Sequence, residues 1–145
     1  MHPIYIQQDN AKTQIDRKDI EFCEAARHDG FDIRLMCQPA NSLDLNILDL
    51  GFFSGIQSLQ YKESPNRIDE LLNAVVKSFD NFSMVNSNYI FLSLLLCMIE
   101  IMKAGGCNKY KIPHINKAKL ESEGKFIVQL TCDTVLVQEV FQILN

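Results

Sequence analysis

Residues 37–60 read CQPANSLDLNILDLGFFSGIQSLQ, and this stretch decides the fold because it joins the end of a strand to a turn and a helix. Pro39 ends the strand, and polar residues form the turn that follows. Apolar side chains then recur every three or four residues, which predicts an amphipathic helix that begins near Asn46. Asp49 lies in the first turn of this helix, where the helix dipole alone favours a carboxylate.

A second acidic residue follows a strand further upstream. Residues 3–8 (PIYIQQ) are short, β-branched and aromatic, and they predict a strand. Asp9 comes directly after its carboxyl end, where ligands and catalytic groups collect in open α/β sheets. The alternative is that Asp9 and Asn10 only form a turn, because both residue types favour turns.

A helix connects this strand to the next one. Asp16 is expected to cap the helix, and Gly30 is expected to end it. Residues 31–37 alternate between apolar and polar side chains, which predicts a strand with one buried face. Strand, helix and strand in about 35 residues predict a parallel βαβ unit and an α/β fold class.

The rest of the chain reads as mostly helical. Residues 68–79 have the most regular amphipathic pattern, which we interpret as packing only, and residues 87–104 are apolar nearly all round. Residues 107–125 are expected to be irregular, and residues 133–144 to form a short helix. The prediction is two strands with three to four helices. Two strands rarely form a stable sheet alone, so further strands are expected from upstream sequence or from another chain.

Composition indicates a protein of ordinary intracellular type. Nearly half of the 145 residues are apolar, the net charge is −4, and five cysteines lack the spacing of a zinc site or a disulfide framework. The N-terminus does not resemble a signal peptide, and the longest apolar stretch, residues 89–99, is too short to span a membrane. We expect a soluble, intracellular protein without a membrane partner. One basic segment stands out, because residues 103–125 contain six lysines and two glutamates.

The two acidic segments together resemble a known family. The motifs QQDNA (residues 7–11) and CQPANSLDLNILDLGFF (residues 37–53) are similar to the catalytic core of Tc1/mariner superfamily transposases, which belong to the DDE/D class. The plant mariner-like group is the most similar, because its last two catalytic aspartates are separated by thirty-nine residues, as Asp9 and Asp49 are here. Residues 51–60, 98–103 and 108–114 also resemble that group.

The resemblance implies an RNase H-like fold, a mixed central sheet with helices on both faces. Residues 1–104 would be the C-terminal part of the catalytic domain, without its first strands, and residues 105–145 a basic, less regular segment with a final short helix. The implied activity is DNA transposition by two-metal phosphodiester cleavage and strand transfer. Asp9 and Asp49 would each bind Mg²⁺ or Mn²⁺, hard cations that prefer oxygen ligands.

The resemblance also implies that this chain is incomplete as an enzyme. The family's first catalytic aspartate and its N-terminal DNA-binding region have no counterpart in these residues, so we expect weak metal binding and no activity alone. Thr13-Gln14 and Ser42-Leu43-Asp44 stand where the family usually has Pro-His and Ser-Pro-Asp. The implied location is the nucleus, although no clear targeting run is present.

The lysine-rich segment supports an alternative function. A non-catalytic module could bind DNA or a transposase subunit, with phosphate contacts from the segment's lysines, chiefly Lys109, Lys111, Lys117 and Lys119. The alternative interpretation of this segment, which its composition alone favours, is a solvated loop. A third interpretation is a helical interaction domain in which Asp9 and Asp49 only form caps and turns, but this interpretation leaves the paired motifs unexplained.

Overall fold

The computed structural model describes residues 2–12, 14–127 and 129–144. Within these residues the chain is a mixed α/β protein with six α-helices and one parallel two-stranded sheet. Residues 1–42 form one compact unit and residues 43–145 form another. The predicted α/β class and the two strands are therefore confirmed. The prediction of three to four helices is wrong for the described residues, because short helices such as Lys117–Ser122 have too few turns to show a clear periodic pattern.

The N-terminal unit is the βαβ motif that the sequence predicts. Strand β1 (Ile4–Gln8) is followed by helix α1 (Ile20–Ala25) and strand β2 (Ile33–Cys37). The strands are parallel, and their register pairs Ile4 with Ile33 at one end and Gln8 with Cys37 at the other. Both strands therefore end at the same edge of the sheet, where Asp9 follows β1.

Helix α1 begins and ends differently from the prediction. Asp19, and not Asp16, is its N-cap, because Asp19 Oδ1 accepts a 2.8 Å hydrogen bond from the backbone N–H of Phe22. Asp16 Oδ1 instead accepts from the N–H of Lys18 at 2.7 Å, which closes a turn ahead of the helix. The helix stops at Ala25, and a 3₁₀ turn (His28–Gly30) fills the distance to Gly30.

All the regular elements described in the second unit are helices or helical turns, separated by irregular segments. Its elements are a 3₁₀ turn (Leu43–Leu45), a π-helical turn (Leu48–Phe52), α2 (Phe53–Glu63), α3 (Ile68–Asp80), α4 (Met84–Lys103), α5 (Lys117–Ser122) and α6 (Thr134–Leu144). The predicted final helix is confirmed. Helix α5 lies in the segment that was expected to be irregular, and Asn116 caps it by accepting from the N–H of Lys119.

Helix α4 is the centre of the second unit. Ser83 caps it, Leu92 and Cys97 are buried, and the two turns before α2 pack against it together with α6. By length and composition alone, α4 could also cross a membrane. The core helix of a soluble protein that meets the same criterion is mostly buried, whereas 11% of the apolar part of α4 is buried within the structure. It is longer than the apolar stretch of residues 89–99 recognised in the sequence, because its ends contain polar residues.

Helix α3 turns its small side chains inward. Ala74 and Ser78 are buried, whereas the large side chains of the apolar stripe are 38–80% exposed. The stripe consists of Ile68, Leu71, Leu72, Val75, Val76 and Phe79. The expectation that these residues pack within the chain is therefore wrong for the part of the chain that the structure describes.

Candidate functional site

Asp9 lies in a tight polar turn directly after β1. Its Oδ1 atom accepts hydrogen bonds from the backbone N–H of Ala11 and from Nε2 of Gln14, both at 3.0 Å. The hydrogen bond to Ala11 forms an Asx-turn, which is the alternative role predicted for Asp9 from the sequence. A carboxylate has about four lone-pair sites, so these two bonds are compatible with a cation on the same exposed group.

Asp49 lies in the first turn of a helical segment, as the sequence predicts. This turn (Leu48–Phe52) is π-helical, a rare geometry that often occurs at functional sites. Asn46 orients the carboxylate, because Asn46 Nδ2 donates a 2.8 Å hydrogen bond to Asp49 Oδ2. Asn46 is held in turn by the N–H of Leu48, which donates to its Oδ1 at 3.1 Å. The Asp49 side chain is thus exposed and has one hydrogen bond that favours this orientation.

Two glycines bring this helical segment close to the chain that follows it. A Cβ atom on Gly51 would lie 3.1 Å from Cγ1 of Ile90, and one on Gly55 would lie 2.6 Å from Cε2 of Phe82. A side chain at Gly55 would require Phe82 to move, and one at Gly51 would require Ile90 to move by a few tenths of an ångström. Gly51 is in the same π turn as Asp49, so its contact with α4 fixes the backbone that carries the carboxylate.

Asn46, Gly51 and Gly55 are site residues that sequence reasoning missed. Two sequence features could have indicated them: Asn46 lies three residues before Asp49, and Gly51 and Gly55 are four residues apart. Residues three and four apart share a helix face, which makes both spacings meaningful once a helix is assumed. Neither spacing identifies the partner, because Ile90 and Phe82 come from later in the chain.

The donor chemistry of Asp9 and Asp49 fits Mg²⁺ or Mn²⁺, since both are exposed carboxylates and these cations prefer oxygen ligands. Asp9 belongs to the first unit and Asp49 to the second. Among residues 2–12, 14–127 and 129–144, no three or more His, Cys, Asp or Glu side chains are grouped in a way that could hold a metal ion. The chemical type of the ligands therefore fits, whereas a complete three-ligand site is absent from the described residues.

The four lysines predicted to contact DNA differ in their surroundings. Lys109 and Lys111 are exposed in the segment between α4 and α5. Lys119 is exposed on α5, and its Nζ lies 3.8 Å from Oε1 of Glu123. Lys117 is half-buried and donates to Oγ of Ser93, and its burial lowers the pKa of the ammonium group. Lys109 and Lys111 are thus the most accessible of the four to a phosphate backbone.

Neighbouring carboxylates reduce the positive field of this segment. Lys103 pairs with Glu100 at 2.7 Å, and Lys125 pairs with Glu123 at 2.9 Å. Beside this segment, a cavity of about 410 Å³ is lined by Glu100, Lys111 and three further residues. The Tyr110 hydroxyl is buried and has no hydrogen-bond partner among the described residues, so it is not directed to a ligand in solution.

No family model, curated protein or solved structure matches this chain. The similarity to mariner-type transposases therefore depends on the motifs around Asp9 and Asp49 and on their spacing. The functional assignment that follows is accordingly a proposal.

Proposed function

We propose that this chain is part of an RNase H-like DDE/D transposase catalytic domain of the Tc1/mariner superfamily. The observation that carries the proposal is the spacing of thirty-nine residues between Asp9 and Asp49 within two matching motifs. The parallel βαβ unit supports it, because Asp9 directly follows the carboxyl end of a strand, where α/β proteins place catalytic groups.

In this proposal the chain's own residues hold and orient two metal-binding carboxylates. Bound Mg²⁺ or Mn²⁺ would activate the attacking oxygen and stabilise the leaving oxygen of a phosphodiester. Gln14 and the Ala11 N–H orient Asp9, and Asn46 orients Asp49. Such support matters because metal ligands work best when a second layer of hydrogen bonds holds them in place.

The 145-residue chain alone is expected to bind metal weakly and to leave DNA uncut, because it supplies two of the family's three carboxylates. Mn²⁺ is a suitable probe, since it broadens NMR signals from nearby nuclei. We expect broadening of the amide signals of residues 9–11 and 48–50 at low millimolar Mn²⁺. Broadening should be lost at the first segment in Asp9→Asn and at the second in Asp49→Asn.

Asp80→Asn is the matched control, because Asp80 is an exposed carboxylate at the end of α3. It should leave the Mn²⁺ response at both segments unchanged. Equal responses in the wild type and in the Asp9→Asn, Asp49→Asn double variant would contradict metal binding at these residues. Magnesium-dependent DNA cleavage that disappears in Asp9→Asn would contradict the expected inactivity of the isolated chain.

A second candidate function is a non-catalytic module that binds a transposase subunit or DNA in the nucleus. The observation that favours it is the amount of apolar surface left open, above all on α3. The chain exposes 11287 Å², whereas a folded monomer of this mass is expected to expose about 7,600 Å². Two separate bodies of the sizes of the two units would still expose only about 9,000 Å². The exposed apolar side chains of α3 are part of this excess, and apolar surface of this kind suits a protein partner.

Salt dependence tests the DNA-binding version of this module. If Lys109 and Lys111 contact phosphate, the Lys109→Gln, Lys111→Gln double variant should bind duplex DNA less tightly and show a salt slope smaller by about 2. Lys62→Gln on α2 is the control and should have little effect. Affinity that is equal at low and high salt would argue against phosphate contacts in this segment.

A further inference from the structure

The N-terminal unit contains a cavity that the proposed transposase chemistry does not use. It has a volume of about 290 Å³ and lies between α1 and β2. Three arginines line it (Arg17 before α1, Arg27 after α1 and Arg34 on β2), together with one carboxylate, Asp32. We call this cavity the arginine groove. Three guanidinium groups around one carboxylate make its lining positively charged, although the whole chain is acidic.

The single carboxylate in the groove is already neutralised. Arg34 donates from Nε to Asp32 Oδ1 at 3.0 Å and from Nη2 to Asp32 Oδ2 at 2.8 Å, which is the bidentate arrangement of a strong ion pair. No hydrogen bond joins the guanidinium groups of Arg17 and Arg27 to the described residues. Asp32 also interacts electrostatically with Arg27, although the hydrogen bond from Arg34 is the main reason why the pKa of that carboxyl is lowered. The guanidinium groups of Arg17 and Arg27 are therefore available to donate hydrogen bonds to an anion that enters the groove.

The outer edge of β2 forms one wall of the groove. Four consecutive residues line it: Asp32, Ile33, Arg34 and Leu35. Successive strand residues point to opposite faces of a sheet. Four consecutive residues can therefore line one cavity only if the cavity lies along the edge of the strand. The Ile4 N–H donates to Asp32 O and the Gln38 N–H donates to Gln8 O, so even-numbered residues direct their backbone toward β1.

The odd-numbered residues of β2 consequently direct their backbone groups toward the groove. The N–H of Ile33 donates a 3.1 Å hydrogen bond to the carbonyl oxygen of Ala26. The N–H of Leu35 faces the groove side as well, and no acceptor for it is found among residues 2–12, 14–127 and 129–144. Backbone N–H groups at a sheet edge, placed beside cationic side chains, are a common way to bind an anion.

We infer that the arginine groove binds a phosphate group, either as free phosphate or as one phosphodiester of a nucleic acid strand. Guanidinium groups match the geometry of phosphate oxygens and bind them through paired hydrogen bonds. A volume of about 290 Å³ is at the lower end of the range for small-molecule sites, so the groove accommodates one phosphate with its sugar. The apolar walls formed by Phe22 and Leu35 suit the sugar and base more than a bare anion.

The test uses the ¹⁵N-labelled 145-residue chain and two probes in separate titrations. The first probe is inorganic phosphate, and the second is a five-residue thymidine oligonucleotide. Saturable shifts are expected at the amides of residues 17, 27 and 33–35 with at least one probe. Binding of phosphate alone would identify a small-anion site, and tighter binding of the oligonucleotide would identify a nucleic acid backbone site.

Paired variants separate the groove from general charge attraction. The double variant Arg17→Gln/Arg27→Gln should weaken binding at least tenfold. The control double variant, Lys12→Gln/Lys18→Gln, removes two charges from the same unit outside the groove and should weaken binding less than twofold. Equal weakening by the two double variants would overturn the inference. So would shifts that never saturate or that map to residues 43–144. These titrations contain no metal, so their outcome is independent of the Mn²⁺ experiment on Asp9 and Asp49.

Discussion

Helices α3 and α4 belong to the same unit but bury different kinds of side chain. Helix α4 is apolar nearly all round. It buries Leu92 and Cys97, whereas Met84, Val85, Phe91 and Met98 are 39–78% exposed. Helix α3 has the more regular amphipathic pattern, yet it packs through Ala74 and Ser78 and leaves its apolar stripe exposed. Periodicity thus identifies the side chains that share a face, but it does not identify the face that another element covers.

Side-chain size explains why α3 packs in this way. Helices approach each other closely where the side chains between them are small. Helix α3 packs against α2, and its buried residues Ala74 and Ser78 provide such a surface. In α2, Gly55 lies close to the ring of Phe82. At the end of α3, Phe79 meets Phe52 at a ring-centroid distance of 5.9 Å, and Phe52 meets Phe82 at 4.9 Å. These contacts hold α3 by one flank, and most of the stripe remains free for another surface.

The largest expected effect is from truncation of the buried leucine of α4. Leu92 is 2% exposed, so Leu92→Ala should lower the free energy of unfolding by about 3 kcal/mol, through lost apolar burial and the cavity left behind. Urea unfolding followed by circular dichroism measures this change. A loss below about 1 kcal/mol would mean that α4 is not the packed centre of the unit.

A smaller loss is expected where α2 approaches Phe82. In an ordinary helix interior Gly→Ala stabilises by up to about 1 kcal/mol. The Cβ added by Gly55→Ala would lie 2.6 Å from Cε2 of Phe82, and the resulting displacement should reverse the sign to a net loss of about 1 kcal/mol. Thermal unfolding is the measurement. Ser58→Ala on the exposed face of α2 is the control, and Phe82→Leu should relieve the loss.

Truncation of the exposed leucine of α3 should have little effect on stability. Leu72 is 63% exposed, and alanine is an equally good helix former, so Leu72→Ala should change the free energy of unfolding by no more than about 0.5 kcal/mol. The same urea experiment measures this change next to Leu92→Ala. A loss as large as that of Leu92→Ala would show that the stripe is covered in solution.

The smallest expected effect is a pH dependence from Lys117, which packs against Ser93 of α4. Burial lowers the pKa of Lys117 from its ordinary value of 10.5. The unfolded chain therefore binds more protons between the two pKa values, and the contribution of Lys117 to stability rises with pH across that window. The measurement is the unfolding free energy of the wild type minus that of Lys117→Gln from pH 8 to 10.5. A difference that falls with pH would contradict this sign.

The sequence predicts the N-terminal unit well because its signals are local. Alternation in residues 31–37 and the short β-branched segment before Asp9 are enough to predict two parallel strands and the helix between them. The capping residue was predicted wrongly, because Asp16 and Asp19 are chemically alike. Only the backbone path decides that Asp16 closes a turn and that Asp19 caps α1.

The candidate site was predictable in part for the same reason. The positions of Asp9 after a strand and of Asp49 at a helix start follow from pattern and motif spacing. The π turn and the hydrogen bond from Asn46 do not follow from these patterns, because the sequence signal for a π turn is the same as for an ordinary helix start. The arginine groove was also beyond the sequence, because Arg17, Arg27 and Arg34 are brought together only by the chain reversal between α1 and β2.

The sequence by itself determined both strands and the longer helical segments, which side chains share a face, and which two aspartates are separated by thirty-nine residues. These properties depend on neighbours a few residues apart, through backbone preference and periodicity. Tertiary structure alone decided that small residues of α3 face inward, that glycines admit Ile90 and Phe82, and that three arginines line one groove. Contacts of this kind join residues distant in sequence, and their geometry depends on side-chain volume and close packing, which no local pattern records.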